Sequence, residues 1–397
     1  MTASPVGERA ARTLTAELAR HTGATTGLVL GVDADSAVLA AAVDALLPGD
    51  TLTVVGDPSL RAHIEQQGRW VADRVRVVST LDEADAAQVV IIGTPLTGTA
   101  DEARAEVDGL AKYIADGGVL SVATPAFGGG AAEELDRQGA LFGVGTDLVV
   151  ANRPPLRVHR LRFSPASASL AAGLAPAYRP SSVPLTRGMH IDSNGVVAAG
   201  LFAGAAALLR MARPTSKLWL VPAVAALPVA AFFRDPERAL PTEESAVVAA
   251  SDGKVLSVER LRDERFGDGE FLRVAVFLSV LDVHVNRSPV AGKVVDYFVA
   301  DGGFAAAMKP DAEHNVAAYT VLETAHGTVV VAQRTGLIAR RIVQRAPVGS
   351  LLARGERFGL IRFGSRTDVY LPAEAADATV APGDRVLGGA SVIATWR

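Results

Sequence analysis

Through the first third of the chain, short apolar runs alternate with stretches whose apolar residues recur at helical spacing. The runs at 27–31, 51–55, 75–78, 89–93 and 118–124 are rich in Val, Leu and Ile and bounded by turn residues, so they predict buried strands. Between them, 13–21, 36–47 and 101–115 have helical spacing, the second closed by Pro48-Gly49. Strands alternating with helices of this length predict a parallel sheet covered on both faces. A late strand is expected at 156–163, and Gly128-Gly-Gly130 reads as a loop.

The pattern then breaks. Residues 164–184 shift to Ser, Ala and Pro, with Pro165, Pro176, Pro180 and Pro184, which marks a linker. Two uncharged stretches come next, fifteen residues at 195–209 and sixteen at 218–233, with Arg210, Arg213 and Lys217 between them. Each is shorter than the about 20 apolar residues that span a bilayer, and Pro222 and Pro228 interrupt the second. A hairpin that enters the membrane interface is expected, with the basic residues near phosphate headgroups. From Phe232 onward, closely spaced strands dominate: 246–250, 254–258, 271–278, 292–299, 317–324, 328–334 and 357–363, with a helix expected at 337–343. That texture predicts a mainly β domain, a barrel or folded sandwich.

Composition narrows the chemistry. The 397 residues are 49% hydrophobic and 21% charged, enough for a large core. A net charge of -4 gives no electrostatic case for nucleic acid. Cysteine is absent, which excludes disulfides, thiolate metal sites and a cysteine nucleophile, and no metal is expected. The polar start, with Glu8, Arg9 and Arg12, lacks a signal-peptide apolar core and suggests a cytoplasmic beginning.

Two resemblances emerge. The first 165 residues resemble the class I methyltransferase-like Rossmann fold: a strand into a turn, a second strand ending near acidic Asp57, and Ile114-Ala-Asp-Gly-Gly118 before a strand. The family's glycine-rich first turn is replaced, however, by Gly31-Val-Asp-Ala-Asp-Ser36. Asp57 is placed either to bind a ribose hydroxyl or to solvate the strand end. A degenerate, regulatory or scaffolding domain is expected. The second resemblance rests on motifs in a fixed order: Phe232-Phe-Arg-Asp-Pro-Glu-Arg238, Ser251-Asp-Gly-Lys254, Phe277-Leu-Ser-Val-Leu-Asp-Val-His-Val-Asn-Arg-Ser-Pro-Val290, Gly336-Leu-Ile-Ala-Arg-Arg341 and Phe363-Gly-Ser-Arg-Thr-Asp368. Together they closely resemble the short branch of the phosphatidylserine decarboxylases. The expected organisation is therefore 1–165 Rossmann-like α/β, 166–184 linker, 185–233 apolar helical pair and 234–397 decarboxylase domain.

The decarboxylase resemblance implies a chemistry. A carbanion left by loss of carbon dioxide needs an electron sink. The family makes a covalent pyruvoyl group from its own backbone. Carried over, Ser365 attacks the Gly364 carbonyl, the chain splits into 1–364 and 365–397, and Ser365 becomes the pyruvoyl group. A serine nucleophile needs an oriented base. The resemblance implies His284 as that base, with Asp252 orienting it and Asp282 and His314 in reserve. Where the long branch has His-x-x-His, this chain has Arg287 at the second position. Asn286 and Arg287 would then hold the lipid phosphate or carboxylate, Phe232 and Phe233 the acyl chains, and Arg340 and Arg341 the headgroup. The implied reaction converts phosphatidylserine to phosphatidylethanolamine and carbon dioxide, with His284 as proton donor. The implied location is the cytoplasmic face of the membrane, peripheral or monotopic, and the family pattern suggests a homodimer. The alternatives are another serine lipid or a free amino acid as substrate, or a non-catalytic carrier. The strand-rich texture and Ala381-Pro-Gly-Asp-Arg-Val-Leu-Gly-Gly389 resemble a lipoyl-type hairpin, but no lysine sits convincingly at an exposed tip.

Overall fold

A computed structural model describes residues 6–177, 182–186, 188–337, 341–362 and 365–397. The chain divides into two units. The first comprises residues up to 180 together with 345–353; the second comprises 181–344 and 354–397.

In the first unit the helices are α1 (Glu8–Leu14), α2 (Ala37–Asp44), α3 (Ser59–Gln66), α4 (Arg69–Ala72), α5 (Ala100–Leu110) and α6 (Gly130–Phe142). The strands are β1 (Thr26–Leu30), β2 (Thr51–Val55), β3 (Val75–Val78), β4 (Ala87–Ile92), β5 (Ile114–Pro125), β6 (Gly143–Val149) and β7 (Leu156–Leu161). They form one sheet in the order β3-β2-β1-β4-β5-β7-β6. The first five are mutually parallel and β7 runs antiparallel to both neighbours. One core packs α1, α2 and α3 on the sheet through Leu14, Val38, Leu39 and Leu60. The other packs α5 and α6 through Val107 and Leu135. Helices therefore cover both faces, as the alternating pattern predicts.

Details depart from expectation for local reasons. Gly129 is the residue before α6, at φ 102, so the glycine run starts a helix rather than only making a loop. The helix expected at 101–115 stops at Leu110, and the chain enters β5 at Ile114. Asp57 Oδ1 accepts the Ser59 N–H at 2.8 Å, capping the start of α3 from an exposed position. Segment 345–353, expected within the C-terminal domain, groups with the first unit. Arg20 Nη2 donates to the Leu351 carbonyl (2.9 Å), Arg162 Nη1 to Gly349 (2.8 Å) and Ser350 Oγ to Val144 (2.9 Å).

The second unit holds β8 (Ser182–Thr186), β9 (Met189–Asp192), the apolar helices α7 (Ser193–Ala212) and α8 (Leu220–Phe232), and then β10 (Arg234–Pro236). β11 (Ala246–Val248), β12 (Gly253–Arg262), β13 (Glu270–Leu278), β14 (Val285–Arg287), β15 (Gly292–Ala300), β16 (Ala317–Thr324), β17 (Gly327–Arg334) and β18 (Ile342–Gln344) come next. The short β19 (Leu351–Leu352) lies in the first unit's segment. β20 (Arg357–Ile361), β21 (Ser365–Pro372), β22 (Ala376–Ala378), β23 (Arg385–Val386) and β24 (Val392–Trp396) complete the chain. The main antiparallel sheet runs β15-β16-β17-β21-β13-β12-β23, flanked by small sheets β14-β20-β18 and β11-β24-β22. The helix expected at 337–343 is not found where the chain is described: 342–344 is strand, hydrogen-bonded to β20, and 338–340 lie outside the described residues.

α7 has twenty residues, about 30 Å of helix at 1.5 Å each, and is long and apolar enough to cross a membrane by length and composition. Asp192 caps it, accepting from Asn194 N at 2.9 Å. α8 tolerates Pro222 because that residue falls in its first turn, and it also carries Pro228 inside the helix. Both helices expose apolar side chains, including Leu201, Leu208, Val221 and Leu227. The base of the pair is buried: Ile191, Phe232, Phe233 and Leu360 form one cluster.

Candidate active site

Ser365 opens β21, the strand held between β13 and β17. It pairs with Leu278 across the ladder. The next three residues anchor it. Arg366 Nε donates to Asp368 Oδ1 at 2.5 Å, and Arg334 Nε on β17 donates to Asp368 Oδ2 at 2.7 Å. All three side chains are buried. Thr367 Oγ1 lies 2.6 Å from Ser251 Oγ, which ties β21 to the Ser251-Asp-Gly turn ahead of β12. Gly253 in that turn sits at φ 151, and a Cβ there would lie 2.1 Å from the Phe277 carbonyl oxygen, so the turn demands glycine.

Asp252 is buried in this turn, but its carboxylate does not orient the histidine. Arg238 grips both oxygens, Nη2 to Oδ2 at 2.7 Å and Nη1 to Oδ1, while Gly388 N donates to Oδ1 at 2.9 Å. With its acceptors so committed, the carboxylate acts on the imidazole only through space. The orienting bond comes instead from a backbone carbonyl: His284 Nδ1 lies 2.8 Å from Asp282 O. A carbonyl only accepts, so Nδ1 carries the proton and Nε2 presents its lone pair. Asp282 is itself fixed, accepting from Ser279 N (2.8 Å) and Oγ (2.7 Å) at Oδ2 and from Arg385 Nη2 (2.9 Å) at Oδ1.

Ile361 N donates to the His284 carbonyl at 3.2 Å, and Ser365 lies four positions further on (365 − 361). The His284 and Ser365 side chains are buried, and their reactive atoms, His284 Nε2 and Ser365 Oγ, lack a hydrogen-bond partner among the described residues. An unsatisfied buried polar atom costs about 1–3 kcal/mol, and both of these atoms are free to bond a reacting group. Burial lowers the His284 pKa to about 4, so the imidazole is neutral and able to accept a proton at pH 7.

The remaining candidates fall elsewhere. Asn286 is fully buried and accepts from Gln333 Nε2 at 2.7 Å. Arg287 is turned inward. Its Nη2 reaches Asp235 Oδ1 (3.1 Å) and the Pro236 carbonyl (2.6 Å), so its guanidinium is spent on an internal pair. Phe233 is buried against the ring of Phe232. His314 lies on the surface at the end of a short 3-10 helix. Gly364 and Arg340 lie outside the described residues, while Arg341 is exposed. Sequence reasoning missed the Asp282 carbonyl and the Arg238 clasp on Asp252. Arg238 was visible as the last residue of the Phe-Phe-Arg-Asp-Pro-Glu-Arg motif; a backbone carbonyl leaves no sequence signal.

A buried serine at a strand start and a buried, neutral histidine of fixed tautomer in one β domain point to the class: a β-domain enzyme that works through a serine and a histidine. Residues 226–394 match the family model described as phosphatidylserine decarboxylase. The phosphatidylserine decarboxylase proenzyme of Symbiobacterium thermophilum is 51% identical over 164 residues, covering 41% of this chain and 76% of that protein. The proenzyme of Geobacter metallireducens is 46% identical over 164 residues, covering 41% and 74%. The chain belongs to the phosphatidylserine decarboxylase family. Among solved structures it is similar to a precorrin-6y C5,15-methyltransferase from Geobacter metallireducens at 16% identity and TM-score 0.28, covering 38% of this chain and 87% of that one. The methyltransferase-like Rossmann character of the first unit rests on its own strand order.

Proposed function

We propose that this protein is a proenzyme that cuts itself between Gly364 and Ser365 and then converts phosphatidylserine to phosphatidylethanolamine and carbon dioxide. The observation that carries the reading is the pair of buried, partnerless atoms, Ser365 Oγ and His284 Nε2, within the region matched by the family. In the first step His284 Nε2 takes the Ser365 hydroxyl proton as the oxygen adds to the Gly364 carbonyl carbon. The Gly364–Ser365 amide becomes an ester. Loss of the Ser365 α-proton then breaks the Cβ–Oγ bond, leaving a carboxylate on Gly364 and a double bond at residue 365. Hydrolysis releases ammonia and leaves the pyruvoyl group at the start of chain 365–397.

The residues present fit that group: the serine that would become it is buried and lacks a competing hydrogen bond among the described residues, and the same domain holds a buried, neutral base at His284. Once formed, the pyruvoyl carbonyl supplies the electron sink for decarboxylation. His284 Nε2 is the chain's proton carrier, and the Asp282 carbonyl holds its tautomer. Asp252 keeps the Arg238–Gly388 clasp that backs the turn. Arg287 is not assigned to the substrate anion nor Phe233 to the acyl chains, both being committed internally. We assign the α7–α8 pair to the lipid interface on the cytoplasmic face, entering it without being required to span it; the exposed Leu201, Leu208, Val221 and Leu227 support this. The first unit, which takes in the expected linker residues 166–177 and segment 345–353, then serves as scaffold, α7–α8 as lipid-facing hairpin, and the rest of 234–397 as catalytic domain.

Intact-mass analysis tests the reading. Native protein should separate into chains of 364 and 33 residues (397 − 364), the shorter one reacting with hydrazine reagents, while Ser365→Ala stays whole. Carbon dioxide release should be seen with phosphatidylserine vesicles and not with free serine. A native chain that stays whole refutes the proposal.

A further inference from the structure

We propose that Phe232 is a positioning residue for the reaction at Ser365: its ring fixes the plane of the His284 imidazole, shields it from water, and ties it to the end of the apolar helix α8. The geometry stands apart from the decarboxylase reading, on which only its catalytic consequence rests.

The Phe232 and His284 ring centroids are 4.1 Å apart at 37°. Phe232 is the last residue of α8 and its sole aromatic residue. It also packs edge-on against Phe233, centroids 5.0 Å apart at 82°. Ile191 and Leu360 complete a buried cluster, with Val229, Ala230 and Val343 packed on it. The imidazole is therefore held by one hydrogen bond at Nδ1 and by an aromatic face, with Nε2 left for chemistry. The same helix that exposes Val221, Val224 and Leu227 thus ends on the base. A shift of α8 in a lipid interface would be felt at the imidazole through one rigid ring.

The charged groups facing His284 are few and partly cancel. Asp282 and Asp252 favour the imidazolium, and Arg234 opposes it. Asp282 is already bound to Arg385 and Asp252 to Arg238. Arg234 lies along backbone carbonyls, Ala231 at 3.1 Å and Leu281. Burial is the largest influence, and the tilted Phe232 ring, 4.1 Å away, is part of that burial. Removing the ring admits water and lets the imidazole hold a proton at higher pH, where it cannot accept one from Ser365.

The test is a histidine NMR titration in the Ser365→Ala chain, with the His284 signal assigned by its loss in His284→Gln. With Phe232 present, the midpoint should lie about 4, and the ring protons should be shifted upfield by the phenyl face. Phe232→Leu should raise the midpoint by about one unit or more, and Phe232→Tyr should keep it low. In chains that retain Ser365, the acid limit of self-cleavage should move by the same amount. A folded Phe232→Leu chain with an unmoved midpoint overturns the proposal. If that variant does not fold, absence of the upfield shift in the chain with native Phe232 overturns it equally. Since the titration needs no cleavage, failure of the decarboxylase reading would leave it readable.

Discussion

Replacing Asp368 by Asn removes one negative charge from a fully buried site. Asp368 is fully buried between Arg334 and Arg366, themselves nearly so. Burial pushes its carboxyl up, but the two arginines together outweigh that and leave the pKa lowered. The side chain of Asn has nearly the same shape, yet it offers an N–H₂ to one of two arginine donors. Arg366 would then depend on the partly exposed Glu313 carboxylate, 3.5 Å away, and Arg334 on the neutral Glu313 carbonyl and Tyr370 hydroxyl. Breaking a buried pair by removing one partner costs about 3–5 kcal/mol. At about 1.4 kcal/mol per factor of ten, amide hydrogen exchange in β17 and β21 should accelerate by roughly a hundredfold or more. Exchange is the suitable assay, because the chain has two units and it reads this sheet alone. The Ser365→Ala background keeps the population uniform. The sign of the pH effect is set by the lowered carboxyl: its stabilisation is present above the ordinary carboxylate range and is lost as pH falls through the folded value. The difference between native and Asp368→Asn chains should therefore hold steady from about pH 8 to about pH 5 and shrink in stronger acid. Joint replacement of Asp368, Arg334 and Arg366 by apolar residues should recover most of the loss. An acceleration below about tenfold at pH 7 for Asp368→Asn would refute the claim that this cluster anchors the strand carrying Ser365.

Two further outcomes are expected. In the first unit, burial lowers the pKa of His159 to about 4, and neither ring nitrogen has a hydrogen-bond partner. Its folded pKa is below the unfolded value of about 6.5, so that unit should lose on the order of 3 kcal/mol as pH falls from 6.5 to 4, and urea titrations of His159→Leu should lack most of that loss. On the hairpin, Leu201→Lys and Leu227→Lys replace side chains 71% and 72% exposed, so thermal stability in lipid-free buffer should barely change. Flotation with phosphatidylserine-containing vesicles should weaken by about tenfold per substitution, since burying a Leu contributes about 1.5–3 kcal/mol; unchanged flotation would remove these helices from the interface.

The parts of this protein legible in the sequence are those where one periodicity dominates. The runs at 27–31 and 89–93 are apolar on both faces, which the interior of a helix-covered sheet explains. The motifs carrying Ser251-Asp-Gly, His284 and Ser365 converge because strand pairing brings them together, and their order along the chain was sufficient to name them. What stayed hidden was what residues do with shared partners. Arg287 looks like an anion ligand until Asp235, fifty-two positions earlier, is found to hold it. Asp252 looks like the histidine's partner until Arg238 is seen to occupy it. The strand at 342–344 takes its form from pairing with β20, a tertiary cause that its own spacing cannot express.

The central place of β21 has a consequence for the life of the molecule. It exchanges backbone hydrogen bonds with β13 over eight positions and with β17 over five, while β23 and β24, also beyond residue 364, pair with β12 and β11. Severing the chain before Ser365 would not free a tail; it would leave the smaller piece woven through the larger like a weft thread. Maturation would then be a one-way topological event, because a denatured pair of polypeptides could return only by a bimolecular encounter, whereas the uncut precursor refolds alone at any dilution.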